Sequence, residues 1–168
     1  PDVLLQHPRN NFVRQFVGSD RALTRLSRVR VADVMLPAAA LDMDALAESA
    51  AQALRAEPST YVTRDGKLVG WIMAEALQEA GSVAAGLTPL EQHQALSRND
   101  DVREALSRMI ELGVANLPVV DKTGLLVGQL GLEQVVTLTT VAADQAAEEN
   151  GGGRSGPLAA NPGEERPA

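Results

Sequence analysis

Two glycines inside apolar segments, Gly70 and Gly128, are the residues of this chain most able to shape a ligand site. A glycine within a strand usually marks a place where another group approaches the backbone closely. That group could be a neighbouring helix or a bound nucleotide, and packing is the favoured interpretation. Each glycine ends a similar segment, 62–70 and 120–128, at an offset of 58 residues. The offset predicts one supersecondary unit used twice, in register and without a gap, whose copies pack face to face.

Side chains with catalytic potential are sparse and isolated. His7 and His93 stand apart from any metal-ligand or nucleophile pattern, so both are interpreted as surface histidines. The adjacent carboxylates of Asp100 and Asp101 are better explained as the start of a helix than as an acid–base pair. Trp71 could stack on a base, but it is expected to fill the core. With no Cys and no phosphate-binding G-x-x-x-x-G-K-[ST] motif, the sequence favours a non-catalytic function.

The elements that must position these residues recur in the same order. Each copy is predicted as an extended lead-in followed by helix, strand, tight turn, strand and helix. In the first copy Asp44 is predicted to cap the helix, which Pro58 ends. In the second copy Asp101 and Glu104 form a predicted capping box. The expected strands and the helix after them cover 61–64, 68–73 and 74–80 in the first copy, and 117–120, 125–130 and 132–141 in the second.

Charge is distributed unevenly around a net value of −7. Residues 1–31 carry six Arg and two acids, net +4, whereas residues 32–143 carry seven basic and fifteen acidic groups, net −8. The acidic body argues against general nucleic-acid binding, which needs a basic surface. No apolar run reaches the roughly 18 residues of a membrane span, and the first residues do not form a signal peptide. A soluble protein is therefore expected.

The two ends of the chain differ from its middle. Two short helices are predicted within residues 12–27, and the second carries Arg21, Arg25 and Arg28 on one face. This stripe is interpreted as a solvated surface, with contact to an anionic partner, such as a lipid headgroup or an acidic tail, as the alternative. Residues 144–168 are rich in Gly, Pro and charged groups, and a flexible acidic tail is expected there.

The repeated pattern resembles the tandem cystathionine-β-synthase-type (CBS) domain pair, also called a Bateman module. The likeness is strongest in the second copy, where Leu-Pro-Val-Val-Asp at 117–121 precedes Gly-x-Leu-Val-Gly at 124–128. The resemblance implies an α/β (α+β) fold of two tandem β-α-β-β-α repeats, over residues 31–81 and 82–143, related by pseudo-twofold symmetry. It also implies clefts for adenine nucleotides and a homodimer shaped as a flat disc.

A second resemblance concerns the start of the chain. Residues 2–23 look like the end of an ABC-transporter ATPase domain, and residues 25–35 continue as in ATP-binding subunits of glycine betaine, carnitine, choline and proline importers. Residues 1–30 would then be the end of that upstream domain with its linker helices. The implied partners are the ATPase domain and membrane permease subunits, at the cytoplasmic face of the cell membrane. This stretch of chain is expected to hydrolyse nothing, because the ATPase motifs would lie upstream.

One departure from the family pattern affects the expected ligand. Nucleotide-binding members have Thr or Ser, then Asp, where this chain has Met73 and Ala76 in the first copy and Gly131 and Gln134 in the second. Those groups contact phosphate and ribose in the family. Loss of one charge-assisted hydrogen bond costs about 1.5–3 kcal/mol, which disfavours AMP or ATP bound in the usual manner. Regulation by cyclic di-AMP or by ionic strength, known for importers of this class, is compatible with the departure.

The resemblance thus implies a regulatory module that gates an osmoprotectant importer. Two alternatives stay open: a ligand-free dimerisation scaffold, and an adenine-nucleotide sensor attached to a different enzyme or channel. No metal site and no catalytic residue is predicted. Under ligand gating, backbone groups and apolar side chains of the second copy would hold a base. The predicted cleft residues are Asn116, Leu117, Pro118, Gly131 and Gln134.

Overall fold

The computed structural model describes residues 20–140, with side chains from Ala22 onward. The predictions made for the first helix, for the side chain of Arg21 and for the tail at 144–168 lie outside these residues. Within the described part, no helix is long and apolar enough to cross a membrane. The strands form two small β-sheets, and each sheet buries one face against helices.

The first half of the described chain contains α1 Asp20–Leu26, α2 Val31–Val34, β1 Ala40–Asp42, α3 Ala47–Ala53, β2 Ser59–Arg64, β3 Lys67–Met73, α4 Ala74–Ala80, α5 Val83–Gly86 and β4 Thr88–Pro89. Its sheet has the order β1-β2-β3-β4. The β1 strand runs parallel to β2, and the other neighbours are antiparallel. The hairpin β2–β3 and the helix after it lie close to the predicted positions.

The second half repeats this order with a three-stranded sheet. It contains a 3₁₀ turn Gln92–Gln94, then β5 Leu96–Ser97, α6 Val102–Leu112, β6 Asn116–Val120, β7 Leu126–Gly131 and a helix, α7, described over 132–140. The sheet order is β5-β6-β7, with β5 parallel to β6 and β6 antiparallel to β7. Both halves therefore contain the order strand, helix, strand, strand, helix.

Helix caps confirm one local prediction and correct another. The Asp101 carboxylate accepts a hydrogen bond from the Glu104 backbone N–H at 2.8 Å, so Asp101 caps α6 as predicted. The Glu104 carboxylate bonds Arg108 Nη2 instead of the Asp101 N–H, so the second half of the predicted capping box does not form. Asp44 does not cap α3, because the residue before that helix is Leu46, which has no capping bond and is 76 % exposed. The Asp44 N–H instead donates to Asp42 Oδ1 at 2.9 Å. An Asx turn at β1 therefore replaces the expected cap.

The lead-in segments cross over between the halves. Leu36, in the lead-in before the first sheet, exchanges two backbone hydrogen bonds of 2.8 Å with Gln129 of β7 in the second sheet. The lead-in before the second sheet contains β4, which pairs with β3 of the first sheet. Val31, in the same lead-in as Leu36, is fully buried in the core around the second sheet. The lead-in before each sheet thus pairs with the other sheet, while the boundaries 31–81 and 82–143 stay predictions.

A pair of reciprocal hydrogen bonds joins the two hairpins. Leu68 N–H donates to Gly124 C=O at 3.0 Å, and Leu126 N–H donates to Gly66 C=O at 3.0 Å. The two donor residues, Leu68 and Leu126, are 58 positions apart in the sequence, and so are the two acceptor residues, Gly66 and Gly124. A local twofold axis between the hairpins would exchange the two hydrogen bonds. The predicted pseudo-symmetric α+β pair is confirmed.

The prediction that the two copies align without a gap is wrong by one residue. Val62 lies opposite Gly70, and Val119, not Val120, lies opposite Gly128. The hairpin turn of the second half is therefore one residue longer. Asp121 accommodates the extra residue, because its Oδ1 accepts bonds from Thr123 N–H at 2.8 Å and from Leu125 N–H at 3.0 Å. The Thr123 hydroxyl also bonds Oδ1, and these bonds lower the pKa of Asp121 below its usual 3.8.

Each half has its own apolar core, built from aliphatic side chains because the chain has few aromatics. Burying one such side chain stabilises the fold by about 1.5–3 kcal/mol relative to exposure. The first core contains Ala50, Leu54, Val62, Ile72, Leu77 and Val83. The second core contains Leu26, Val31, Leu96, Val102, Ala105, Leu106, Met109, Leu117, Val119, Leu130 and Val135. Through Leu26, helix α1 thus packs on the second half.

Candidate functional site

Three of the five predicted cleft residues share one face of the second sheet. Asn116 lies opposite Gly131 in the β6–β7 ladder, so their Cα substituents point to the same side. Pro118 follows on that side, opposite Gln129, but it is buried. Leu117 alternates to the other side, where it is 3 % exposed and belongs to the core. Its side chain is thus unavailable to a ligand, and only its backbone remains for contact.

Gln134, the fifth predicted residue, joins the first three through Gly131. The Gln134 side-chain oxygen accepts a hydrogen bond from Gly131 N–H at 2.9 Å. A Cβ atom on Gly131 would lie 2.6 Å from both Gln134 Oε1 and Asn116 Oδ1. The missing side chain at Gly131 therefore leaves room for both side-chain oxygens beside the strand end. The resulting polar corner, Asn116 with Gly131 and Gln134, has amide N–H groups that can donate to a ligand.

The strand glycines are explained by packing. A Cβ atom on Gly128 would lie 2.7 Å from the carbonyl oxygen of Leu36. A Cβ atom on Gly70 would collide with the carbonyl oxygen of Thr88 and lie 2.7 Å from Leu87 Cδ1. In both halves the approaching group is the backbone of a crossed lead-in and not a helix. Packing of one chain segment on another therefore explains both glycines.

A groove of about 790 Å³ opens between α1, with the turn that follows it, and α7. Gln134 of the polar corner lines it, together with Glu133 beside it in the chain. Arg25 and Arg28 line the opposite wall. Thr137 and Thr139 and a set of apolar side chains complete the surface: Ala22, Leu26, Val29, Val34 and Leu138. The groove therefore combines an apolar lining with two guanidinium groups and one carboxylate.

The sequence does not predict this groove. No spacing relates Arg28 to Gln134, because they come from opposite ends of the described chain. Both residues line one groove because Leu26 and Val31 are buried in the second core, which brings α1 onto that half.

The equivalent face of the first sheet carries aromatic side chains. Tyr61 lies directly opposite Trp71, and Trp71 also lies opposite Thr88 of β4. Ile72, on the other face of β3, enters the core, so the prediction that Trp71 fills the core is wrong. The two halves thus differ at corresponding positions: the first presents Tyr61 and Trp71 where the second presents Pro118 and Gln129.

Burial raises the pKa of Tyr61 from 10.0 to about 12. We expect the single tyrosine of the chain to titrate near that value in the folded protein, measured by its ultraviolet absorption. An unfolded chain loses the proton near pH 10 while the folded chain keeps it, so stability should fall as pH rises between these values. The loss should reach about 2 kcal/mol at pH 12. Tyr61→Phe should abolish this pH dependence, and a folded-state titration near pH 10 would contradict the prediction.

Comparison with known proteins gives a family for part of the chain. The model of the CBS domain matches residues 92–139. The osmoprotectant import ATP-binding protein OsmV of Salmonella typhimurium is 30% identical over 143 residues, which cover 80% of this chain and 36% of that protein. The chain thus spans about a third of the length of this relative.

Solved structures agree with the fold. The CBS domain of a bacterial CNNM/CorC family Mg²⁺ transporter, in complex with ATP, superposes with a TM-score of 0.59 at 21% identity over 77% of this chain and 97% of that chain. A CBS domain pair/ACT domain protein from Thermotoga maritima gives a TM-score of 0.59 at 20% identity over 68% of this chain and 98% of that chain. The architecture described above is that of such pairs.

Proposed function

This chain carries a CBS domain and folds as a CBS-domain pair, and on that premise we propose that it is the regulatory module of an osmoprotectant ABC importer. The observation that supports this best is the 30% identity to an osmoprotectant import ATP-binding protein, which extends over 80% of the chain and so well beyond the CBS domain at 92–139. The solutes in question would be compounds such as glycine betaine, carnitine, choline or proline.

The proposed partners follow from that role. An ATPase domain joined to this module would act with permease subunits at the cytoplasmic face of the membrane. Two copies of the module would form a homodimer and hold two ATPase domains in one of two arrangements. A ligand with a modest preference for one arrangement shifts the population between them. The module then gates transport without performing chemistry itself.

The proposed signal is an adenine nucleotide, AMP, ATP or cyclic di-AMP. Two observations support it: a structural neighbour is a CBS domain in complex with ATP, and the groove between α1 and α7 has an apolar lining beside charged groups. The proposed contacts are the polar corner of Asn116, Gly131 and Gln134, with the backbone of Leu117 and Pro118. Gly131 and Gln134 replace the family's hydroxyl and carboxylate, so binding in the usual manner is not proposed.

Ionic strength is a second candidate signal. Arg25 and Arg28 are exposed and lie on the first helix and its following turn. Their attraction to an anionic membrane surface, or to the acidic tail, would weaken as the Debye length falls from about 10 Å at 0.1 M salt to about 3 Å at 1 M. The net charge of −8 over residues 32–143 weighs against a membrane surface.

Thermal unfolding with AMP, ATP and cyclic di-AMP, at about 0.1 M and about 1 M salt, tests the two signals. A nucleotide at 100 times its dissociation constant should add about 2.7 kcal/mol of stability, which raises the Tm by several degrees. A response to salt alone, accompanied by a change in dimer arrangement, would favour ionic strength. No response to either would favour a ligand-free dimerisation scaffold and overturn the proposed gating.

A further inference from the structure

The chain that leads from α1 into α2 is bonded to the loop between β5 and α6 of the second half. Val31 N–H donates to Asp100 C=O at 2.9 Å, and Val102 N–H donates to Val29 C=O at 3.0 Å. Val31 and Val102 are the first residues of α2 and α6. The leading N–H groups of a helix have no acceptor within that helix. Each of these helices therefore takes an acceptor from the segment that precedes the other.

Two further hydrogen bonds extend this contact. Ala32 N–H donates to Arg98 C=O at 3.0 Å, and Arg30 Nη1 donates to Asn99 C=O at 2.8 Å. Three consecutive carbonyls of the β5–α6 loop thus accept bonds from three consecutive residues at the start of α2. We call these two bonds, together with the two between the helix starts, the latch.

Arg108 of α6 holds the loop in the shape that the latch requires. Its Nη1 donates to Ala95 C=O at 2.9 Å before β5, and it lies 3.5 Å from Asp100 Oδ2 after β5. Asp100 Oδ2 also accepts from Ser97 N–H at 2.9 Å, and Asp100 N–H donates to Ser97 C=O at 3.1 Å. The side chains of Arg108 and Asp100 are 28 % and 20 % exposed, so salt screens this ion pair less than a surface pair.

The latch fixes α1 to the second half. Leu26, at the end of α1, and Val31, at the start of α2, are both buried in the second core. The latch lies directly beside Val31, so backbone bonds and apolar burial act on the same short stretch of chain. Helix α3, the counterpart of α6 in the first half, contains no basic residue, so the first half has no equivalent of Arg108 on that helix.

We propose that the second half is the output half of this module: the latch couples α1 to it, and Arg108 is the residue that positions the latch. A signal received by the first half then reaches α1 by way of the second half. The inference rests on the proposed function only in its consequence, that an ATPase domain joined before α1 follows the movements of the second half. The latch itself is testable on this chain without any ligand.

Hydrogen exchange of the full 168-residue chain, measured by NMR, tests the latch. Arg108→Ala should speed exchange of the Val31 and Ala32 amides on the order of tenfold, because their acceptor loop loses its support. Amides of the β6–β7 hairpin should keep their protection, since that hairpin is bonded within itself. Arg103→Ala is the matched control: it removes an exposed arginine of the same helix that takes no part in the latch, and should change neither.

The distance between two spin labels measures the coupling of α1, and the absence of native Cys allows labels to be placed at chosen positions. Labels on Thr24→Cys of α1 and Glu111→Cys of α6 should give one narrow distance distribution. The distribution should broaden with Arg108→Ala and stay narrow with Arg103→Ala. Arg108→Lys should restore part of the narrow distribution, since it retains the charge but loses the planar fork of donors.

Two results would overturn the proposal. If Arg108→Ala leaves either the Val31 and Ala32 exchange or the distance distribution unchanged, core burial alone holds α1 and Arg108 does not position it. A broad distribution in the unaltered chain would overturn the coupling of α1 to the second half. Should Arg108→Ala fail to fold, Asp100→Asn gives the same comparison, because it removes the ion pair and keeps an oxygen for Ser97 N–H. Thermal unfolding with nucleotides and salt tests the proposed signals independently of these outcomes.

Discussion

Gly70→Ala is expected to lower the free energy of unfolding by about 3 kcal/mol, a decrease in Tm on the order of 10 °C. The added Cβ would collide with the carbonyl oxygen of Thr88 and lie 2.7 Å from Leu87 Cδ1. A flexible side chain could move aside, but the Thr88 carbonyl belongs to β4, which pairs with β3 at Trp71. Relief therefore requires loss of the crossed lead-in from the first sheet. Urea or thermal unfolding measures the effect.

Gly81→Ala separates steric collision from backbone conformation. Gly81 has φ of +73°, and a Cβ atom there would meet nothing within 4 Å. The expected cost is that of a left-handed alanine alone, about 1–2 kcal/mol. Equal losses for the two variants would contradict the close approach at Gly70. Gly128→Ala should resemble Gly70→Ala, because its Cβ would lie 2.7 Å from the carbonyl oxygen of Leu36.

Leu130→Ala is expected to destabilise the second half by about 3 kcal/mol. Leu130 is fully buried and faces Leu117 across the β6–β7 ladder, at the centre of the larger core. Truncation removes the transfer free energy of the lost methyl groups and leaves a cavity that the surrounding core fills only in part. Urea denaturation should show a lower midpoint with an unchanged slope.

Ile110→Ala is the control for this prediction. Ile110 lies on α6 but is 47 % exposed, so its truncation should cost less than about 1 kcal/mol. A loss for Ile110→Ala as large as that for Leu130→Ala would mean that Ile110 is covered in solution, as by a second copy of the chain. Dilution of the protein would then reduce the difference, because dimer contacts depend on concentration.

Local rules predicted the features that depend on neighbours in the chain. Asp101 caps α6 as predicted. Gly113 and Gly81, which end α6 and α4 with φ of +68° and +73°, follow the same kind of local rule. These outcomes depend on a few consecutive residues and their backbone preferences. The prediction at Asp44 was wrong because two acidic residues were available, and Asp42 took the Asx turn. Which of two neighbouring acidic residues accepts the local hydrogen bond depends on where the adjacent strand ends.

The candidate site was predictable only in part. Strand alternation could have excluded Leu117, since it alternates with Asn116 and Pro118 along β6. The polar corner of Asn116, Gly131 and Gln134 follows from pairing within one hairpin, a short-range feature. The arginine wall needed the burial of Leu26 in a core more than half the chain away. Long-range burial has no signature in local spacing, so the groove between α1 and α7 could not be predicted.

The sequence by itself determined that one unit is used twice, because each copy contains the same turn residues, strand glycines and apolar periodicity. Only the tertiary structure decided how the copies combine. Crossing of the lead-ins, the extra residue at Asp121 and the face on which Trp71 lies all depend on which backbone approaches which. The physical reason is that burial and steric contact depend on pairs of chain segments, whereas helix, strand and turn propensities depend on a single segment.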